Sequence, residues 1–206
     1  MQPPPQRLVI ATTNPHKVEE FRALLADLPY TLVSLTDLGV TLDVEETGDT
    51  FAANAILKAV AYADITGLPT LADDSGLEID ALNGEPGIYS ARWAGADVTY
   101  AERHRILLAR LADVPPEGRT ARYRCAIAVA EPAPRGLSGV VEGTLEGRIA
   151  DAPAGTGGFG YDPIFYVPEQ GRTVGQMSAQ EKHRISHRAR AASKAHDLLA
   201  HLERGE

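Results

Sequence analysis

The chain has 206 residues, 44% of them hydrophobic, which is enough to bury a sizeable core within one domain. Its formal net charge of −8 argues against general affinity for nucleic acid or an anionic membrane, so a polyanion would have to meet a local group of Lys and Arg side chains. A single cysteine, Cys125, excludes an internal disulfide and fits a reducing cytoplasm.

The N-terminus begins Met-Gln-Pro-Pro-Pro-Gln and lacks the basic region and apolar stretch of an export signal. No later segment offers the roughly 18 continuous apolar residues of a membrane-spanning helix. We therefore expect a cytoplasmic protein without a membrane span.

The first half of the chain alternates between strand and helix. Apolar runs predict strands over 8–11 and 30–35, and apolar residues at helical spacing predict helices over 15–28 and 50–66. Short strands are expected at 69–72 and 77–79, which places the acids between them at the end of a strand.

The second half begins with a capping-box pattern at 99–102, which predicts a helix to about residue 112. Two long β segments are expected at 121–130 and 139–149, and a second capping box at 178–181 starts a final helix to about 204, with a break at Ser186. This order favours an α/β fold, a mixed central β-sheet flanked by helices, in a single domain over 1–206.

Two adjacent acids, Asp73 and Asp74, follow an apolar run and precede Ser75-Gly76. Adjacent carboxylates repel each other, so a buried pair needs a metal, a basic partner or a shared proton. Oxygen ligands suit magnesium, which in turn would bring a phosphate-bearing substrate. The structural alternative is a polar β-turn, in which Asp and Ser cap the backbone and Gly supplies a positive φ.

The strand-to-helix turn at 11–17, Ala-Thr-Thr-Asn-Pro-His-Lys, is a second candidate. Asn14 is expected as the N-cap and Pro15 as the first helical residue. Lys17 in the first turn opposes the helix dipole, a fault that becomes useful if a phosphate binds there. The alternative is a solvated Lys17 paired with Glu19 or Glu20. Side-chain hydrogen bonds to a phosphate would come from Thr12, Thr13 and Asn14.

A further carboxylate pair, Glu45-Glu46, precedes the second helix, on which Asn54 and Lys58 stand one turn apart. The alternative is an acidic N-terminus favoured by the helix dipole.

The segment Gly155-Thr-Gly-Gly-Phe-Gly160 satisfies the pattern G-x-G-x-x-G. The Pro and the β-rich run that follow it exclude the helix that a dinucleotide-binding unit requires. We therefore expect a tight loop carrying Phe159 and Asp162, with Phe159 either stacked on a base or plugged into the core.

Basic groups concentrate in Lys182-His-Arg-Ile-Ser-His-Arg188. His183 and His187 have the spacing of a zinc pair, but the Glu of H-E-x-x-H is absent and no third ligand is evident. A positive edge that meets a triphosphate or a purine is favoured over a solvated helix face.

Six motifs in a fixed order along almost the whole chain resemble the non-canonical purine nucleoside triphosphate pyrophosphatases, the inosine triphosphatase family. They are ATTNPHK at 11–17, EETG at 45–48, ADDSGL at 72–77, PGIYSARWAG at 86–95, GGFGYDP at 157–163 and EKHRISHR at 181–188. Ala189 stands where many relatives have Gly, and a Pro-rich N-terminus precedes the first strand; neither departure touches the chemistry.

The resemblance implies two lobes with an active-site cleft between them, in a cytoplasmic homodimer that needs neither nucleic acid nor a membrane. It implies hydrolysis of ITP, dITP and XTP to the monophosphate and pyrophosphate, by Mg2+-assisted attack of water at the α-phosphorus.

By the same resemblance Asp74 is the general base and a metal ligand, and either Glu45 or Glu46 supplies a second carboxylate. Asp73 is a further candidate metal ligand. Phe159 is expected to stack on the base while His187 and Arg188 read the purine edge. The residues expected to bind nucleotide are Thr12, Thr13, Asn14, Pro15, His16, Lys17, Lys58, Ser75, Phe159, Gly160, Tyr161, Asp162, Lys182, His187 and Arg188.

Two other functions remain open. One is a pyrophosphatase for modified pyrimidine or canonical nucleotides, and the other is a nucleotide-binding sensor without turnover. Asp74→Asn separates an enzyme from a sensor, because only an enzyme has turnover to lose.

Overall fold

The computed structural model describes residues 6–95 and 97–204, with side chains described up to residue 200. The Pro-rich segment at 1–5, on which the expectation about an export signal rests, lies outside the described residues. The helices in the described part are α1 Pro15–Leu24, α2 Phe51–Thr66, α3 Tyr100–Arg110, α4 Ala179–Ile185 and α5 His187–Arg204. The strands there are β1 Gln6–Ile10, β2 Tyr30–Ser34, β3 Thr70–Ile79, β4 Thr120–Glu131, β5 Gly136–Ile149, β6 Phe165–Val167 and β7 Arg172–Thr173.

The seven strands form one sheet in the order β2-β1-β3-β4-β5-β6-β7. β1 runs parallel to both β2 and β3, whereas β6 runs antiparallel to β5 and β7. The predicted mixed α/β sheet is therefore confirmed. No helix in the described ranges is both long and apolar enough to cross a membrane.

The chain divides into two compact units, each assembled from separate stretches of sequence. Unit 1 comprises the chain up to Asp74, 125–143 and the chain from Arg188 onward, and unit 2 comprises 75–124 and 144–187. Each unit has its own buried core. The core of unit 1 includes Leu8, Ile10, Phe21, Leu71, Ile127 and Ala195, and that of unit 2 includes Leu77, Leu107, Leu145, Ile164 and Phe165.

Helix boundaries follow the predicted caps. The Asn14 side chain accepts the His16 N–H at 3.0 Å with Pro15 next to it, and Ser178 and Glu181 form the complete reciprocal capping box. The predicted break at Ser186 is confirmed, since α4 ends at Ile185 and α5 begins at His187. His183 and His187 therefore lie on different helices, and the geometry of an i,i+4 pair does not apply to them.

One predicted helix end and one predicted capping box differ from the structure. α1 ends at Leu24 and not at Leu28, because Leu25 leaves the helical conformation and forms the C-cap, its N–H bonded to the Phe21 carbonyl. Only half of the capping box at 99–102 forms: Thr99 accepts the Glu102 N–H, but the Glu102 carboxylate pairs with Arg105.

The expectation that the acids lie at the end of a strand is wrong, and so is the β-turn alternative. β3 is one continuous strand that carries Asp73 and Asp74 in its middle. The apolar residues on both sides hold it extended, because Leu71 packs in the core of unit 1 and Leu77 in that of unit 2. Its parallel pairing with β1 ends at Leu71, so the two acids lie beyond that pairing, with Ala72 between.

Candidate functional site

The continuous strand separates the two acids. Successive side chains of a strand point to opposite faces, so the short contacts of Asp73 and Asp74 go to different partners. Asp73 contacts Lys17 and Arg188, whereas Asp74 contacts Asn54 and Lys58. We call these side chains, together with Glu46, the ionic cluster; all of them belong to unit 1.

Asp73 is a fully buried carboxylate held by cations. Its Oδ2 lies 2.9 Å from Lys17 Nζ and 3.4 Å from an Arg188 guanidinium nitrogen. Burial alone would raise the pKa of Asp73, but Lys17, Arg188 and then Lys58 outweigh it and hold this pKa far below its ordinary value. Asp73 therefore stays ionised, and it anchors the two cations in place.

Arg188 is itself buried and pairs at 2.5 Å with Glu20 as well as with Asp73. The raised pKa of Arg188 has the same origin, since the two carboxylates overcome the cost of its burial. Lys17 thus pairs with Asp73 across the fold, and the predicted alternative of a solvated pair with Glu19 or Glu20 is not what the structure shows.

Asp74 lies in a different electrostatic environment. Its Oδ1 is 3.7 Å from Lys58 Nζ, and its Oδ2 accepts the amide of Asn54 at 3.2 Å. Burial raises the pKa of Asp74, Lys58 lowers it, Glu46 raises it, and the net direction is upward. A carboxylate that is easier to protonate than usual is a better proton acceptor, which is the property that a general base needs.

Lys58 connects the acids of the ionic cluster. Its Nζ lies 2.6 Å from Glu46 Oε1 and donates at 2.7 Å to the backbone carbonyl of Asp73. Burial would lower the pKa of Lys58, but Asp74, Asp73 and Glu46 together raise it. The ammonium therefore stays charged beside two carboxylates.

Asn54 fixes the loop that carries Glu46. It is completely buried on α2, donates to Asp74 and accepts the Gly48 N–H at 2.8 Å. A Cβ at Gly48 would come within 2.7 Å of Ala53 and Asn54, so only Gly allows the loop to approach the helix this closely. The Glu-Glu-Thr-Gly motif ends in Gly for this reason.

The donor set of the ionic cluster fits magnesium. Glu46 and Asp74 both approach one ammonium, which shows that they converge on a site of positive charge. Within residues 6–95 and 97–200, no three His, Cys, Asp or Glu side chains are grouped to hold a metal by themselves. Two carboxylates are nonetheless sufficient for magnesium, which is commonly held by one or two carboxylates plus substrate phosphates and water.

A second group of side chains in unit 2 surrounds Asp162. This buried carboxylate accepts three donors: Lys182 Nζ at 2.7 Å, the Phe159 N–H at 2.9 Å and the Tyr123 hydroxyl at 3.1 Å. We call Tyr123, Phe159, Asp162, Lys182 and His187 the aromatic cluster. With all three donors in place, Asp162 holds the 155–160 loop in one conformation.

The rings of the aromatic cluster are arranged around that carboxylate. Lys182 Nζ lies 4.4 Å from the centre of the half-buried Phe159 ring, in cation–π geometry. The rings of His187 and Tyr123 stack with centroids 4.6 Å apart and an interplanar angle of 19°. Phe159 is thus held from one side by a cation and is not a plug of the core.

The segment at 155–160 forms the tight loop that the sequence predicts. Gly158 has φ +69°, and a Cβ there would collide with the Asp162 carboxylate. A 3-10 turn at Asp162–Ile164 and strand β6 follow, in place of the helix of a dinucleotide-binding unit.

The remaining predicted residues lie near these two clusters in sequence. Thr12 Oγ1 accepts the Asn14 N–H at 3.2 Å, which shapes the turn before α1, and His16 is exposed. Glu46 joins the ionic cluster, whereas Glu45 is exposed. Tyr161 is buried and donates to the Ser90 carbonyl, and the Gly160 carbonyl lies 2.9 Å from His104 Nε2.

The sequence did not predict three residues that contribute to the two clusters: Glu20, Asn54 as a partner of Asp74, and Tyr123. Asn54 carried a usable signal, since a lone amide in the Ala-rich face of a helix needs a buried partner. No sequence signal identified Tyr123, because a Tyr in an alternating β segment is an ordinary core residue.

Known proteins of one family are similar to this chain over nearly its whole length. The model of the Ham1 family matches residues 8–198. A dITP/XTP pyrophosphatase of Symbiobacterium thermophilum is 54% identical over 202 residues, covering 97% of this chain and 98% of the relative. One of Geobacillus kaustophilus, also named dITP/XTP pyrophosphatase, is 51% identical over 92% of each chain. The solved structure of a HAM1 protein from Coxiella burnetii superposes with a TM-score of 0.85 at 44% identity, covering 95% of this chain and 99% of that one.

Proposed function

This chain belongs to the Ham1 family, and from that premise we propose that it hydrolyses the non-canonical purine nucleoside triphosphates ITP, dITP and XTP. The products are the monophosphate and pyrophosphate, so the reaction removes deaminated purines from the nucleotide pool. The observation that carries the proposal is Asp74, a buried carboxylate with a raised pKa beside Lys58 and Glu46.

We assign Asp74 the role of general base. In its ionised form it accepts a proton from water, the resulting nucleophile attacks the α-phosphorus, and the bond to the bridging oxygen breaks as pyrophosphate leaves. The Asn54 amide fixes the direction of the carboxylate, because it occupies one of the two carboxylate oxygens. The other oxygen remains directed toward the charged Lys58.

The cations of the ionic cluster stabilise charge that develops on the phosphates. Lys17 stands in the first turn of α1, where backbone N–H groups also favour an anion. Asp73 and Arg188 hold this region rigid, so that the cations do not have to reorganise when the substrate binds.

Asp74 and Glu46 are the side chains that would hold Mg2+. When bound, this ion would neutralise phosphate oxygens and polarise the attacked phosphorus. Asp73, with its carboxylate committed to Lys17 and Arg188, is better suited to positioning than to coordination. Glu45 is exposed and less suited than Glu46.

We propose that the aromatic cluster takes the base. The half-buried Phe159 ring offers a stacking surface, and Lys182 and Asp162 fix its loop. The His187 ring bonds through the nitrogens at its edge, and its stacking on Tyr123 fixes the plane in which they lie. Groups that pair with a 6-oxo edge and have no complement for a 6-amino or 2-amino group would select against ATP and GTP.

Hydrolysis of ITP, XTP, dITP, ATP, GTP and dTTP, with and without magnesium, tests this function. We expect metal-dependent release of pyrophosphate from ITP, dITP and XTP at rates far above those with ATP and GTP. Orthophosphate as the product, or a flat substrate profile, would favour a different nucleotide hydrolase. Binding without turnover would favour a sensor.

We further propose a cytoplasmic homodimer that unfolds as one domain and has no nucleic-acid or membrane partner. The net charge of −8 supports the absence of polyanion binding. Support for one cooperative domain comes from β3, β4 and β5, each of which contributes residues to both units. Light scattering of the purified protein and a single unfolding transition in urea would test these points.

A further inference from the structure

Tyr123 is buried on β4 and is joined to two members of the aromatic cluster at once. Its hydroxyl donates to Asp162 Oδ1 at 3.1 Å, and its ring stacks on His187. The ring also contacts Phe165, with centroids 4.3 Å apart. Tyr123 therefore packs on the core of unit 2 on one side and contacts Asp162 and His187, two members of the aromatic cluster, on the other.

We propose that Tyr123 is a positioning residue for base selection: it holds the Asp162 loop and the His187 ring in one fixed arrangement. This inference rests on the proposed function, since it explains how that same site tells a 6-oxopurine from a canonical purine. Tyr123 itself is 7% exposed and acts through Asp162 and His187.

The Tyr123 hydroxyl positions the loop that carries Phe159. Asp162 receives Lys182 and the Phe159 N–H through Oδ2 and Tyr123 through Oδ1. Without the hydroxyl, one carboxylate oxygen loses its donor and the carboxylate gains freedom to rotate. Because the Phe159 N–H is bonded to that carboxylate, a rotation would displace the Phe159 ring on which the base stacks.

The Tyr123 ring sets the orientation of the His187 ring, whose edge is proposed to bind the purine. An imidazole stacked at 19° to a phenol ring has its two nitrogens in a plane nearly parallel to that ring. The phenol is fixed by Phe165 and by its hydrogen bond, so the plane of the His187 nitrogens is fixed as well. One side chain thus sets both the position of the stacking surface and the plane of the hydrogen-bonding edge.

Tyr123→Phe tests the hydroxyl while keeping the stacked ring. We expect kcat/KM for ITP to fall about tenfold, mainly through KM, because a hydrogen bond to a buried carboxylate is lost. The preference for ITP over GTP should fall about three- to tenfold, and the dissociation constant of IMP measured by calorimetry without metal should rise in parallel with KM.

Tyr30→Phe is the matched control. Tyr30 is also buried, and its hydroxyl donates to the Leu199 carbonyl at 3.1 Å within unit 1, whereas the aromatic cluster belongs to unit 2. This variant loses a comparable buried hydrogen bond and should keep the wild-type ITP preference. Equal losses in both variants, or an unchanged ITP preference in Tyr123→Phe, would overturn the proposal.

A double-mutant cycle with Asp162→Asn tests whether Tyr123 acts through Asp162. Tyr123→Phe should have little further effect on ITP preference once Asp162 is changed, and a full additional effect would contradict the assigned route. If the wild-type protein itself does not hydrolyse ITP, the proposed function fails. If the wild type prefers ITP and Tyr123→Phe matches Tyr30→Phe, only this inference fails.

Discussion

The ionic cluster and the aromatic cluster both contain a buried Asp–Lys pair, yet the two carboxylates can do different things. Asp162 accepts three donors on its two oxygens and is a fixed part of the structure. Asp74 accepts the Asn54 amide on one oxygen, the Lys58 ammonium lies 3.7 Å from the other, and its pKa is raised. The electrostatic surroundings of a buried carboxylate, and not its residue type, decide whether it positions a loop or accepts a proton.

Asp73 is adjacent to Asp74 in sequence but resembles Asp162 in environment. The two neighbours lie on the same strand, and cations lower the pKa of Asp73 while burial raises that of Asp74. The alternation of a strand thus gives two adjacent residues opposite electrostatic roles.

The largest expected effect is on kcat, and it appears when the Asp→Asn substitution is compared between the two clusters. Asp74→Asn should lower kcat for ITP about a thousandfold and leave the affinity for IMP nearly unchanged, because it removes the proposed base. Asp162→Asn should instead raise KM and weaken ITP preference, with less than about a tenfold change in kcat. Steady-state kinetics and IMP calorimetry measure both, and a similar loss of kcat in the two variants would erase the distinction.

Asp73→Asn should damage stability more than the neutralisation of Asp74 or Asp162. It leaves Lys17 and Arg188 facing an uncharged amide, and removing one partner of a buried ion pair costs about 3–5 kcal/mol. Urea unfolding at pH 7 gives the change in free energy. Asp27→Asn is the control, since the Asp27 side chain is 75% exposed and its loss should cost less than about 0.5 kcal/mol.

Phe159→Ala probes the aromatic cluster alone. Stacking of a base on an aromatic side chain contributes about 1–3 kcal/mol, so KM for ITP should rise about 5- to 150-fold while kcat changes little. Tyr89→Ala removes an exposed ring from the same unit and should leave both constants as in the wild type. A fall confined to kcat in Phe159→Ala would contradict base stacking.

The smallest expected effect is on how the free energy of unfolding of the metal-free protein varies with pH. Because the pKa of Asp74 is raised on folding, its carboxylate favours folding at acid pH and opposes it at neutral pH. Asp74→Asn, which keeps an oxygen for the Asn54 amide, should therefore be more stable than the wild type at pH 7, with the gap closing as pH falls toward about 4.

Asp73 should show the opposite sign. Its folded pKa is lowered, so its contribution is complete above the ordinary carboxyl pKa and is lost as pH falls through the acid range. The stability deficit of Asp73→Asn should accordingly shrink at acid pH. Parallel pH dependence in both variants would show that the two carboxyls share one environment.

Much of this arrangement could be predicted from local sequence. Asn14, Pro15 and Ser178 define helix starts through caps that depend only on neighbouring residues. The mixed sheet followed from the αβ alternation and the two long β segments. Most residues of the two clusters were found through the six motifs.

Partners distant in sequence could not be predicted. The strand through Asp73 and Asp74 depends on two separate cores, which no local pattern of Asp, Ser and Gly reveals. Arg188 meets Glu20 across 168 positions, and Tyr123 meets Asp162 across 39. Such contacts are set by the packing of the whole sheet.

Hydrolysis of ITP in ¹⁸O-labelled water tests the proposed attack of water at the α-phosphorus most directly. Attack of the activated water at the α-phosphorus places the label in IMP and leaves pyrophosphate unlabelled, and this is the predicted mass spectrum. Label in pyrophosphate would mean attack at the β-phosphorus, and the proposed attack at the α-phosphorus would be wrong.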